Sequence, residues 1–161
     1  MLANTDDALY RISNITLNDD HIIRRTLVIE QEKSTAIRDL LRANYFKLSQ
    51  IDRDGPYAIS MRICDQNILI QINGEAGAPF ETLSISMRPF KKLIKDYFLI
   101  CDGFHEASRL GERAKLETLD MARRGLHNEG ASQLKDYLQN KADMDMQTAR
   151  RFFTLICVLH I

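Results

Sequence analysis

No excess of charge of either sign marks this sequence. Lysine plus arginine equals aspartate plus glutamate at 22 each, so the chain is formally neutral, with a pI near 6.9. The balance holds by halves: residues 1–80 carry 9 basic and 11 acidic side chains, and residues 81–161 carry 13 and 11. General nucleic-acid and membrane-surface binders draw their affinity from excess positive charge, and with no basic tail or arm present both are excluded as partners. Cysteine is also scarce. Cys64, Cys101 and Cys157 are odd in number, widely spaced and set in apolar runs, which argues for reduced, buried thiols in a cytoplasmic protein rather than disulfides. Seven glycines and three prolines leave few breaks, so most residues belong in regular elements. Met1–Asp7 lacks the basic region and apolar core of a signal peptide, and the longest apolar run is too short and interrupted to span a bilayer. There is no Gly-x-Ser-x-Gly, no P-loop and no dinucleotide fingerprint.

What is present is an ordinary globular composition, 45% hydrophobic and 27% charged over 161 residues. A chain of that length buries roughly two thirds of its unfolded surface, so a single domain over 1–161 is expected, mostly strands to residue 87 and helical from 88. Leu9–Leu17 alternates like a strand and ends at Asn18-Asp19-Asp20. From about Leu27 to Asn44, Ile29, Ala36, Ile37, Leu40 and Leu41 recur at helical spacing, with Asn44 suited to the C-terminal cap. The polar face of that helix (Glu30, Glu32, Lys33, Arg38, Asp39, Arg42) has the mixed charge of a solvated surface. Tyr57–Cys64, Asn67–Asn73 and Phe80–Met87 alternate and are joined by connections too short for a parallel return, so they pair antiparallel. Tyr45–Ile51 is a candidate further strand. The fold class read here is α+β: an antiparallel sheet of four to five strands from the N-terminal half, packed against a C-terminal helical layer.

Pro89 suits the first turn of the next helix, and Phe90, Leu93, Ile94, Tyr97, Phe98, Cys101 and Phe104 form its apolar stripe. Gly111 punctuates its end. Glu112–Arg124 and Ala131–Asn140 follow as two helices. Asp143 or Asp145 can cap the last one, where Phe152, Phe153, Leu155, Ile156, Cys157, Val158 and Leu159 leave almost no polar side. Such a helix is either central or a subunit interface, so a homodimer through residues 146–161 is one expectation.

Between the two middle helices lies the densest chemistry in the chain, Arg123-Arg124-Gly125-Leu126-His127-Asn128-Glu129-Gly130. Helix punctuation explains most of it. Arg123 and Arg124 suit a last turn, Gly125 a left-handed cap, and Asn128 with Glu129 the start of the next helix. His127 is left unexplained. The functional reading is an anion site. Arg123, Arg124 and the Asn128–Gly130 amides at the following helix N-terminus would converge on a carboxylate or phosphate, with His127 and Glu129 beside them. Arg150 and Arg151 sit early in the last helix, where the dipole does not favour cations, so they need a negative partner such as Asp120, Glu129 or a ligand. An enzyme at the same place would use His127 as general acid or base, with Glu129 orienting it and an arginine stabilising charge. His127-Asn128-Glu129 fits the His-x-Glu element of zinc deaminases, but no Pro-Cys-x-x-Cys accompanies it. His105, Glu106, His127, Glu129 and His160 are ligand types without ligand spacing, so neither metal nor cofactor is expected. Cys101 and Cys157 lie mid-helix among apolar residues, where a thiol is inert.

Asp96-Tyr97-Phe98-Leu99-Ile100-Cys101, the 123–130 stretch and Thr148-Ala149-Arg150-Arg151-Phe152-Phe153-Thr154-Leu155-Ile156-Cys157-Val158-Leu159-His160 together resemble a bacterial uncharacterised protein family. The likeness covers essentially the whole chain and is close from about Pro89 onward. It implies a cytoplasmic bacterial protein and carries no activity, cofactor or substrate with it. The function these observations favour is a non-enzymatic binding or regulatory module for an anionic small molecule or a partner protein.

Overall fold

The structure is a computed structural model that describes residues 9–20, 26–51, 53–74, 77 and 79–160. Met1–Asp7, read above for a targeting signal, lies outside the described residues, as do Asp52, Glu75, Ala76 and Ala78 of the expected turns and Ile161 of the last helix. In chain order the elements are β1 (Ile12–Asn18), α1 (Leu27–Arg42), β2 (Phe46–Leu48), β3 (Tyr57–Cys64), β4 (Asn67–Gly74), β5 (Pro79–Ser86), a 3-10 turn at Arg88–Phe90, α2 (Lys91–Leu110), α3 (Arg113–Leu138), β6 (Ala142–Met144) and α4 (Met146–Leu159). This is an α+β fold. The main sheet has the order β1-β3-β4-β5, and β2 and β6 form a separate two-stranded ribbon.

The meander β3-β4-β5 is antiparallel, as the short connections require. β1 departs from the expected all-antiparallel sheet: it runs parallel to β3, with α1 and β2 in between. A connection of that length frees the chain to cross over, so alternation alone could not fix the direction. The register shifts between Ile12 and Asn14, and that irregularity lets Ile12 and Ile15, three residues apart, both turn into the core. The candidate strand near residue 46 does form, but pairs with Ala142–Met144 instead of the main sheet.

α1 starts where Thr26 Oγ1 accepts from Ile29 N. At its far end Ala43, not Asn44, is the capping residue, and it is extended. Asn44 contributes through its side chain, donating to Leu40 O at 2.8 Å and exchanging two hydrogen bonds with the Ile12 backbone. α2 ends as expected at Gly111, whose φ of 71° is left-handed. Asp145 caps α4 by accepting from Thr148 N at 2.9 Å.

The largest departure is α3. The two expected helices and the turn between them are one helix of 26 residues, running through Gly125 and Gly130. Its buried side chains Leu126, Ala131, Leu134 and Leu138 carry an apolar stripe across the expected break. Gly125 sits on the exposed side, where a helical glycine costs only about 1 kcal/mol. Gly130 faces α4: a Cβ there would come within 2.6 Å of the Phe153 ring. The second glycine therefore marks close packing of α3 on α4, not a turn.

α4 is central. Ala149 and every residue from Phe152 to Leu159 are buried, with α1 and α3 packed on α4. Among the described residues these side chains pack inside the chain itself, which leaves them no apolar face for the expected dimer through 146–161. One cluster of buried residues joins the sheet (Ile59, Met61, Ile70, Ile85) to the helices (Leu40, Tyr97, Leu134, Phe152). Among the described residues no helix is long and apolar enough to cross a membrane.

Candidate functional site

Four helices meet around an open cleft of about 830 Å³. α1 presents Val28, Gln31, Glu32 and Thr35 to it, and α2 presents Phe104, His105 and Ser108. α3 contributes Arg123, Arg124, His127 and Asn128, and α4 contributes Gln147, Arg150 and Arg151. Within each helix these residues step mostly by three or four, the spacing that keeps side chains on one face. On α3 that face is generated only because the helix continues through Gly125.

Six of the seven residues singled out in the sequence are brought together here: Arg123, Arg124, His127, Asn128, Arg150 and Arg151. Glu129 is not among them. It lies two positions from His127 in the helix, hence on the opposite side, exposed and away from the cleft. Glu129 therefore neither orients His127 nor pairs with Arg150, which corrects both expectations. The reading of the α1 polar face as wholly solvated is corrected too, because Glu32 lines the cleft and Asp39 anchors an arginine of α4.

The polar contacts divide the cleft into two walls. On one, Arg123 reaches Glu32 Oε1 at 3.3 Å and Asp120 Oδ1 at 2.7 Å, while Arg124 holds Asp120 Oδ2 at 3.0 Å. The Arg123 guanidinium also lies over the Phe104 ring, 5.1 Å from its centre. Glu32 is engaged from below as well, accepting from the Tyr97 hydroxyl at 2.9 Å. On the other wall, Arg150 Nε donates to the Asn128 amide oxygen at 2.7 Å, and among the described residues Arg150 has no carboxylate partner. Arg151 reaches Asp39 at 3.7 Å, but Asp39 is shared with Arg38 and Arg42 at 3.5 and 3.3 Å.

His127 sits between the walls, its ring stacked on Tyr97 with centroids 5.7 Å apart and edge-on to Phe153 at 6.3 Å. Its Nε2 is buried without a hydrogen-bond partner among the described residues. Burial, reinforced by the guanidiniums of Arg123, Arg151 and Arg150, lowers its pKa to about 4, so the ring is neutral near pH 7. Below it, burial pushes the Tyr97 hydroxyl up, Cys101 up to about 11 and Cys157 well above the ordinary thiol range. Those two thiols are free and inert, as read from the sequence, whereas Cys64 is exposed at the end of β3, which corrects the expectation that all three are buried. Among the described residues, no hydroxyl or thiol of the cleft is hydrogen-bonded to a histidine or carboxylate, and no three His, Cys, Asp or Glu side chains cluster as metal ligands would. The geometry is that of a charged receptacle: guanidinium forks around a neutral imidazole.

Glu32, Gln31 and Thr35 escape the sequence reading because the mixed charge of the α1 polar face is that of a solvated surface. The available signal was that Val28, Gln31, Glu32 and Thr35 follow the same three-and-four rhythm as the apolar stripe beside them.

Fold and site together define an α+β protein with an arginine-lined cleft among four helices. The chain belongs to the uncharacterised protein family UPF0262, whose sequence profile matches residues 9–161. It is 44% identical over 154 residues to a UPF0262 protein of Roseobacter denitrificans, covering 93% of this chain and 97% of that one. It is 40% identical over 163 residues to a UPF0262 protein of Sphingopyxis alaskensis, covering 99% of each. A relative from Ruegeria pomeroyi is 44% identical over 154 residues, covering 93% of this chain and 96% of its own. No solved structure matches the chain.

Proposed function

We propose that this protein is a cytoplasmic, non-enzymatic binding module whose four-helix cleft takes a small anionic molecule. The observation that carries the reading is Arg150: a partly buried residue of the cleft whose guanidinium is held by an amide oxygen and matched to no carboxylate among the described residues. Partial burial makes an uncompensated cation costly, and a bound anion removes that cost. The surroundings support the same reading, since four arginines and one carboxylate, Glu32, line the cleft. A small ligand suits a concave site of this volume better than the flat surface of a partner protein does. The rival reading, a hydrolase or transferase with His127 as acid or base, loses its orienting carboxylate with Glu129, and a ring held near pKa 4 has no imidazolium proton to donate at neutral pH and is a weak base.

Calorimetric titration of the full chain with inorganic phosphate at fixed ionic strength tests the proposal. Saturable binding that weakens about tenfold or more in Arg150→Ala, with the ligand-free variant melting no lower than the unsubstituted protein, is the expected result. Absence of saturable binding, or binding that ignores the substitution, would sink it.

A further inference from the structure

Resting on the anion reading above, we propose that the occupant is the phosphate monoester of a small hydroxylated molecule, its dianionic head held at Arg150 and Arg151 and its neutral body lying against α1 and α2.

Charge fixes the head. Arg123 and Arg124 are matched by Glu32 and Asp120. On the opposite wall Arg151 shares Asp39 with Arg38 and Arg42, two exposed arginines that do not line the cleft, and Arg150 has no carboxylate among the described residues. The wall thus offers two guanidiniums against a shared part of one carboxylate. A monocarboxylate offsets only one of them. A phosphate monoester carries about −1.5 to −2 near neutral pH and offers three acceptor oxygens, enough for two arginine forks at once.

Volume and chemistry fix the body. A bare phosphate would fill only a small part of about 830 Å³. Toward α1 and α2 the lining offers the uncharged hydrogen-bonding groups of Gln31, Thr35 and Ser108 beside the apolar Val28 and Phe104. Glu32, the single acid there, is already engaged by Arg123 and Tyr97, so it does not call for an ammonium on the ligand. Of the rings that line the cleft, only His105 has no ring or cation partner among the described residues. Phe104 is covered by the Arg123 guanidinium, and His127 is stacked on Tyr97. A nucleobase would find one small ring to stack on, which favours a sugar or polyol phosphate over a nucleotide.

The test is calorimetry on the full chain at constant ionic strength with inorganic phosphate, ribose 5-phosphate, glucose 6-phosphate, free ribose, adenosine 5′-monophosphate and acetate. At least one sugar phosphate should bind about tenfold or more tightly than inorganic phosphate, with ribose and acetate weaker still and the nucleotide weaker than that sugar phosphate. Arg150→Ala should weaken phosphate and sugar phosphate alike. Thr35→Val and Ser108→Ala, each first shown by thermal melting to be folded, should weaken only the sugar phosphates. If phosphate binds in an Arg150-dependent way but the sugar phosphates bind no tighter, or if the nucleotide or acetate binds as well as they do, this inference falls while the anion reading stands. If no anion binds at all, both fall together.

Discussion

His127 concentrates the physics of the site in one side chain. Packed between Tyr97 and Phe153 and facing three guanidiniums, it has a folded-state pKa near 4 against an ordinary 6.5. Between those values the unfolded chain binds a proton that the folded chain refuses, so stability is full above the ordinary pKa and is lost as pH falls through the window. Urea denaturation of the ligand-free protein should show about 1–2 kcal/mol lost between pH 6.5 and pH 5. His127→Phe should remove most of that loss, with His160, also lowered by burial, accounting for a remainder. An unchanged acid slope in the variant would mean His127 is solvated in the native state. At the same scale the thiols separate cleanly. An exposed Cys64 should be the one group labelled by a thiol reagent under native conditions, and Cys101 and Cys157 should react only on unfolding. Prompt labelling of more than one thiol per chain would contradict their burial.

At the scale of elements, α3 is where local chemistry misleads and packing decides. Arginines before a glycine, then Asn-Glu, read as the end of one helix and the start of another, because each residue type prefers those places. The same stretch read as continuous helix puts Asp120, Arg123, Arg124, His127 and Asn128 at steps of three and four, on one face. The candidate residues were thus legible, but the surface they share was not, since it depends on a helix that capping preferences alone would interrupt. Paired substitutions test this. Gly125→Ala should stabilise the protein by about 0.5–1 kcal/mol, because its Cβ would meet nothing within 4 Å in a helical backbone. Gly130→Ala should destabilise it by about 1–3 kcal/mol despite the better helix propensity, because the Phe153 ring lies at 2.6 Å and is itself packed on Tyr97 and His127. A left-handed cap at Gly125 would reverse the first sign. Other elements resisted reading for a different reason. β2 and β6 are three residues each and exist through pairing across nearly a hundred positions of sequence, Phe46 with Met144 and Leu48 with Ala142. Nothing local distinguishes such a strand from a loop.

Across the whole molecule, the sheet and the helices share one core. The apolar face of β3 and β4 belongs to the same buried cluster as Tyr97, Leu134 and Phe152, and Phe46 of the small ribbon touches both Tyr57 and Phe152. That continuity predicts one cooperative unfolding transition, with far-ultraviolet circular dichroism and tyrosine fluorescence superimposing in urea; two separated transitions would show that the layers are independent. The fold class was legible because burial periodicity is printed along each element. The cleft was not, because it arises only where four helices distant in sequence converge, and α1 joins that convergence through a face whose charges looked ordinary. The central claim is that this convergence makes an anion site, and the arginine side chains can report on it directly. In ¹⁵N-resolved NMR spectra of the arginine Nε–H groups, titration with ribose 5-phosphate should shift Arg150 and Arg151 saturably, with His127 ring signals moving as its pKa rises, and these shifts should vanish in Arg150→Ala. Shifts spread evenly over exposed arginines such as Arg62 and Arg109, or no shift at Arg150, would contradict the account.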